Sequence, residues 1–315
     1  MLIIGAGASG LSAALTAASS GAKVILADED FLMGGRLNSE KAKVDEIAGS
    51  KWAKNAVAKL GAMDNVTLMS DTMIFGVYDH GIYGALENRS SESRSDSNKP
   101  RQVNWRIYAK RSILCAGAIE RSIAFGNNDR PGIMLAGAVR AYMNRFGVAT
   151  GKKVTVYTNN NDGWQTAKDL RAKGVDVVAV IDSRSISRVM SIQGAEIFMG
   201  TDVVDTKGRR RLKSIQLSNG KTIVTDSLAV SGGWNPNLHL TCHHRGIPKW
   251  NEEIASFIPD ESTPPGMSVA GRAKGTMVLS DAIKEGHDLG TSVVAELGYK
   301  AKNLKAASTP VVTTR

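Results

Sequence analysis

Two cysteines, eight prolines and a 5% aromatic share are thin provision for a chain of 315 residues. Cys115 and Cys242 lie far apart and form no C-x-x-C pair, which excludes a redox-active dithiol and a cysteine-built zinc site. Such sparing use of cysteine suits a reducing compartment, so the protein is expected in the cytoplasm. The five histidines form no His-x-x-x-His pair or mixed cluster at metal-ligand spacing, so no metal is expected. His243-His244 reads as a loop or packing doublet. No apolar run approaches the roughly 20 residues of a bilayer-crossing helix. The first apolar stretch runs straight into a glycine turn, unlike a cleavable signal. No Ser/His/Asp set and no paired carboxylates stand out, so no catalytic residue is named.

Negative charge is also short, leaving a formal net charge of +10. Much of the excess sits in Arg209-Arg210-Arg211 with Lys213 and in the lysines from Lys300 to Lys305. Neither run interleaves with aromatics as a nucleic-acid platform does. They read as a solvated hairpin tip and a chain end, with an acidic partner surface as the other reading. Neither nucleic acid nor a membrane is expected as a partner.

Glycine is plentiful, at 32 residues, and the hydrophobic share of 42% allows two domains with buried cores. Leu2-Ile3-Ile4 reads as a short buried strand. Gly5, Gly7 and Gly10 follow as a Gly-x-Gly-x-x-Gly turn, and Leu11 to Ser20 as a helix of small residues. The three glycines serve a tight turn, a close approach to a pyrophosphate, and close helix-on-strand packing. The helix N-terminus offers N–H groups and a positive dipole end to the phosphates. Lys23 to Ala27 is the second strand, and it ends at Asp28. A carboxylate there accepts both hydroxyls of an adenosine ribose and repels a 2′-phosphate, which favours NAD or FAD over NADP. The shortness of the first strand leads to the expectation that the chain begins inside a longer protein's sequence.

Beyond Asp28, the Gly34-Gly35 doublet lets backbone pass close to a cofactor, and Arg36 reaches for its phosphates. Ser50 to Leu60 has the spacing of an amphipathic helix, with Trp52, Ala56 and Leu60 on one face. Asn65 to Met69 is the next strand, after which Asp71-Thr72-Met73 offers backbone groups to an adenine. Ile74 to Glu87 and Asn104 to Lys110 alternate like a β-meander, with a polar, flexible loop at 88–100 between them. Ser112 to Ala118 is a buried strand that brings Ala116 and Gly117 against the cofactor.

A helix over Met134 to Phe146 leads into a second unit of the same pattern. Val154 to Tyr157 and Val175 to Ile181 are its strands, and Trp164 to Lys173 is its helix. Its turn, Thr158 to Gly163, keeps one glycine and puts Asp162 where a pyrophosphate would sit, so no tight dinucleotide binding is expected there. Hairpin tips fall at Lys207-Gly208 and Asn219-Gly220. Ser268 to Gly271 is a strand into a glycine turn, and Thr276 to Leu297 a long helix whose Gly286 and Gly290 mark a close crossing. The expected division is 1–130 with 231–300 as the dinucleotide-binding domain, 131–230 as an inserted degenerate Rossmann-like domain, and 301–315 as a tail. The fold class is α/β, of the two-dinucleotide-binding-domain type.

Several longer stretches carry a resemblance. Ala27 to Asp30 with Gly34-Gly35-Arg36-Leu37, Phe75 to His80, Ala118 to Arg121, Phe125 to Ala138 and Ser231 to His239 resemble the α subunit of heterotetrameric sarcosine oxidase. That family demethylates sarcosine to glycine oxidatively and hands the one-carbon unit to tetrahydrofolate. The resemblance implies partner β, γ and δ subunits, with the amine-oxidising FAD and a covalent FMN outside this chain. It places tetrahydrofolate on a C-terminal domain not present here. It further implies NAD on this chain, in the site where related folds hold FAD, surrounded by Ser9, Asp28, Glu29, Arg36, Met73 and the Ala270–Met277 turn, with Gly271, Thr276 and Met277 nearest. FAD enzymes of this class have Gly-Asp at the return turn, whereas this chain has Gly271-Arg272. A self-contained FAD-dependent oxidoreductase, or an amino-acid dehydrogenase subunit with flavin in the first site, is the alternative.

Overall fold

Successive residues of the first strand face two different cores. Ile3, with Leu26 and Ile113 of neighbouring strands, packs with Leu11, Ala14, Ala17, Ile283 and Val294 of helices. Leu2 and Ile4, with Ala27 and Leu114, pack with Ile74, Val77, Tyr83 and Ile107 of an antiparallel meander. Strands covered on both faces are the setting in which a parallel sheet is stable. The computed structural model describes residues 1–89, 100–185 and 191–310. They form two units, one of Met1–Asn38, Ala42–Ala118 and the chain from Pro236 on, the other of Ser39–Lys41 and Ile119–Asn235.

In the first unit the parallel sheet runs Met267–Val269, Ser112–Leu114, Leu2–Ile4, Val24–Ala27, Val66–Met69. The meander over its second face is Thr72–Tyr78, Ile82–Asn88 and Gln102–Tyr108. On the first face, the helix Ala8–Ser19 crosses the helix Leu279–Glu296 closely at Gly286 and Gly290. A Cβ at Gly286 would lie 2.1 Å from the Ser9 carbonyl oxygen, and one at Gly290 would lie 2.9 Å from that of Ala13. The expected small-residue crossing is therefore present. The last helix starts at Leu279, not Thr276. Gly271–Lys274 is a 3-10 turn, Gly275 takes a left-handed φ of 98°, and Thr276 and Met277 precede the helix.

The second unit repeats this plan. Its parallel sheet runs Ile133–Leu135, Ser227–Ser231, Lys153–Thr158, Asp176–Asp182, Glu196–Met199, with an antiparallel meander of Val203–Lys207, Ser214–Leu217 and Thr222–Val224. The strand order matches the first unit's except that the edge strand comes from before the motif, not after it. That edge strand corrects one expectation. Ile133, Met134 and Leu135 pair with Leu228, Ala229 and Val230, so the helix begins at Ala136 and ends at Phe146. Partnership with an open sheet edge outweighs a helical spacing that is only weakly marked here.

The chain divides at Ala118/Ile119 and Asn235/Pro236, where the sequence suggested 130/131 and 230/231. Residues 119–130 stay with the second unit because they lie along its meander. Gly126 N–H donates to the Val204 carbonyl, and Arg130 donates to that of Thr206. Arg209, Arg210 and Arg211 are exposed in the connection between two strands, as the sequence suggested. Residues 90–99 of the expected 88–100 loop lie outside the described residues, as do 311–315 of the tail. The described part of the tail is held back on the first unit, where Ser308 N–H donates to Asp45 Oδ1 at 2.7 Å.

Asn160 caps the helix Asn161–Ala172 by accepting from Asp162 N–H at 2.9 Å. Its amide also donates to the Ser231 carbonyl at 3.0 Å. Asn160→Ala is expected to cost about 1–2 kcal/mol in urea unfolding; an unchanged midpoint would remove the cap from this account.

Candidate functional site

The site grows from strand ends. Cys115 N–H donates to the Ile4 carbonyl at 2.7 Å, and Gly5 N–H to the Ala27 carbonyl at 2.8 Å, so the sheet continues up to the glycine turn. There the three glycines separate by role. Gly5 has φ 96° and a Cβ on it would lie 2.4 Å from the Cys115 carbonyl oxygen. At Gly10 a Cβ would lie 1.9 Å from the Gly5 carbonyl oxygen. Gly7 is different, since a Cβ there meets nothing of the chain within 4 Å. Gly5 and Gly10 are required by the fold, whereas Gly7 leaves space that the protein does not use.

Gly7 is also the N-cap of the first helix. It makes no side-chain cap bond, and the first turn carries no acidic residue. Backbone N–H groups at that end are served by neither device that helices ordinarily use. Gly35, with φ 53°, lies over the turn, its would-be Cβ 3.0 Å from Gly7 Cα. Arg36 follows, partly buried, in the 3-10 turn Gly35–Asn38.

Asp28 stands beside the turn, one strand over. Its Oδ2 accepts from Ala6 N–H inside the glycine turn, and its Oδ1 from Asp30 N–H at 2.9 Å. Burial pushes its carboxyl above the usual aspartate value, although both N–H bonds pull the other way. Glu29 is exposed. Ser9 is 7% exposed, and its hydroxyl points inward, towards Cys115 and Gly271. Ser9 therefore gives the turn packing and a helix-end N–H. Cys115 is buried, and burial pushes its thiol up to about 12, which disfavours the reactive thiolate.

Ala116 and Gly117 follow the Ser112–Leu114 strand, with Gly117 at φ 71° and open space around it. Gly271 follows the Met267–Val269 strand and abuts Ser9 and Ala282. Thr276 N–H closes that turn onto the Gly271 carbonyl at 3.1 Å, and Met277 is partly buried beyond it. These residues all lie at the carboxyl ends of adjacent parallel strands, the place where open α/β sheets bind ligands. Met73 lies on the meander, 46% exposed. The N–H groups of Asp71 and Thr72 are already spent on the carbonyls of Asp30 and Asp28, at 3.2 and 2.8 Å.

Glu285 is a residue that sequence reasoning missed. Its Oε2 accepts from Gly271 N–H at 2.7 Å, and its Oε1 pairs with Lys274 Nζ at 2.6 Å. A carboxylate thus serves the return turn after all, supplied by the helix that follows it. No local signal marks Glu285, because only the long-range return of the chain sets it beside Gly271.

In the second unit the corresponding positions are filled from within. Asn160 caps one helix and Asp162 sits in its first turn. Gly163 packs on Thr158, where a Cβ would approach to 2.4 Å. Glu120 serves the other helix, accepting from Gly137 N–H at 2.6 Å and from the Ser231 hydroxyl at 2.7 Å. Among the described residues no cluster of His, Cys, Asp and Glu could hold a metal, and no helix is long and apolar enough to cross a membrane.

Residues 1–109 match the protein family described as FAD dependent oxidoreductase. Sarcosine oxidase subunit alpha of Rhizobium meliloti (strain 1021) is 42% identical over 302 residues, which covers 95% of this chain and 30% of the relative. The chain is similar to sarcosine oxidase subunit alpha over nearly its whole length. The subunit alpha of Corynebacterium sp. (strain P-1) is 34% identical, covering 95% of this chain and 33% of that one. The chain therefore spans about a third of the length of these sarcosine oxidase α subunits. Among solved structures, the L-proline dehydrogenase of P. horikoshii superposes with a TM-score of 0.76 at 23% identity, over 96% of this chain and 56% of its own. The fold is that of the FAD/NAD(P)-binding Rossmann-type flavoproteins, as the glycine turn and the paired units implied.

Proposed function

We propose that the chain is the dinucleotide-binding module of the α subunit of a multisubunit sarcosine oxidase, and that its first unit holds NAD. The observation that carries the reading is the uncapped helix end beneath the open space at Gly7, with the half-buried Asp28 carboxylate beside it. Pyrophosphate oxygens would accept from the helix-end N–H groups, and ribose hydroxyls would donate to Asp28. Arg36 and the Gly34-Gly35 backbone would flank the phosphates. A nicotinamide dinucleotide would supply hydride-transfer capacity. No bond-making residue is assigned on this chain, so amine oxidation belongs to the assembled enzyme, with its β, γ and δ subunits, flavins and tetrahydrofolate, in the cytoplasm.

The match of residues 1–109 favours a second reading, FAD in the same site. NAD is preferred because Arg272 stands where that class has an aspartate, and the Glu285 carboxylate is engaged by Gly271 and Lys274. The two readings separate on the small molecule released from the purified chain by denaturation. NAD by mass spectrometry is the expected result, and a stoichiometric flavin spectrum would overturn it. The chain by itself is expected not to oxidise sarcosine.

A further inference from the structure

We propose that Glu285 is a positioning residue for the second nucleoside of the bound dinucleotide; this rests on the reading of the first unit as a dinucleotide site. Neighbouring strands are about 4.8 Å apart, so the ends of a sheet's strands form a ruler across the site. The glycine turn ends the Leu2–Ile4 strand. Asp28 lies one strand to one side, and Gly271 two strands, about 10 Å, to the other. A ligand with its adenosine at Asp28 and its phosphates at the helix end must carry any second nucleoside past Ser112–Leu114 towards the Gly271–Lys274 turn. A nucleoside diphosphate stops short of it.

Glu285 spans that turn. It receives the N–H of the turn's first residue and the ammonium of its last, and its side chain is 17% exposed. Among the backbone bonds within the turn, Gly275 N–H to the Arg272 carbonyl and Thr276 N–H to the Gly271 carbonyl are both 3.1 Å and local. Neither ties the turn to the helix behind it. The Glu285 bonds do so, and they fix where the left-handed Gly271 sits against Ser9. The Gly271 N–H is consequently spent inside the protein, and the turn meets a ligand through its shape.

The test is calorimetric titration of the chain with NAD and with ADP. Glu285→Ala is expected to weaken NAD about five- to tenfold, the equivalent of one hydrogen bond, and to leave ADP unchanged. Glu285→Gln keeps an oxygen for Gly271 N–H and should restore most of the NAD affinity. If the alanine variant does not fold, Glu285→Asp, one methylene too short to reach Gly271, carries the same expectation. Equal loss of NAD and ADP, or NAD affinity at the wild-type level, would overturn the assignment. A wild-type chain that binds neither probe fails differently, because it sinks the dinucleotide reading on which the assignment stands.

Discussion

Replacing Gly7 by alanine is expected to empty the dinucleotide site and leave the fold intact, whereas the same change at Gly10 is expected to prevent folding. One methyl group is added in both variants. At Gly10 it would stand 1.9 Å from the Gly5 carbonyl oxygen and 3.3 Å from Cys115 Cβ. The helix would have to lift off the strand that carries it, in a core containing Leu11, Ala14 and Ile113. Overpacking in such a core costs about 1–3 kcal/mol even when neighbours can shift. Here the neighbour is backbone, so the cost lies above that range. At Gly7 the methyl meets nothing within 4 Å, and the φ of −73° suits any residue. Thermal unfolding of Gly7→Ala without ligand should match wild type, while NAD retention falls at least tenfold through exclusion of the pyrophosphate. A Gly7→Ala chain that binds NAD normally would show that the space over the turn is not the phosphate site.

The sequence already assigns the two glycines separate roles, a close approach to a pyrophosphate at Gly7 and helix-on-strand packing at Gly10, and the structure supplies the distances that set the two variants apart. The sequence does reveal what depends on neighbours along the chain. Leu2 to Ile4, the turn, the helix and the strand ending at Asp28 form one continuous stretch with fixed spacing, and the structure keeps their order. The second unit was legible for the same reason, since its strands and helix repeat that rhythm, and the poor phosphate turn at Asp162 could be read from composition. Legibility fails where distant pieces decide. Ile133–Leu135 becomes a strand because Ser227–Ser231 offers an edge. Thr276 and Met277 stay out of the last helix because Gly275 turns left-handed before them. Glu285 acquires its role from Gly271, a partner fixed only once the last helix has folded back.

The two units also explain each other. Both keep the sheet order and the meander, but in the second the helix ends are served by Asn160 and Glu120. A helix end capped by its own protein gains stability without a ligand. The first unit leaves the corresponding N–H groups without a side-chain cap and holds Asp28 half-buried, so its folding lacks stabilisation that a bound dinucleotide would supply. A dinucleotide bound there would couple its own binding to stability by mass action.

Asp28 is where that coupling can be read by pH. Its carboxyl is held above the ordinary aspartate value of 3.8, with burial the largest cause and the Ala6 and Asp30 N–H bonds opposing it. A raised folded-state pKa gives a stability contribution fully present below pH 3.8 and lost as pH rises through the folded value. At neutral pH the ionised Asp28 therefore weighs against the unliganded fold. Ribose hydroxyls donating to it would offset that penalty, because they favour the charged form. NAD affinity should accordingly weaken as pH falls, beginning above 3.8 and earlier than an exposed aspartate would allow. Asp28→Asn removes the titration and should flatten this dependence. At neutral pH it should also weaken NAD about ten- to hundredfold, the range for a lost hydrogen bond to a charged group. The pair of measurements is decisive because a general loss of folding would not flatten a pH profile. An Asp28→Asn chain with the wild-type slope would place the titrating group elsewhere and leave the ribose without its acceptor.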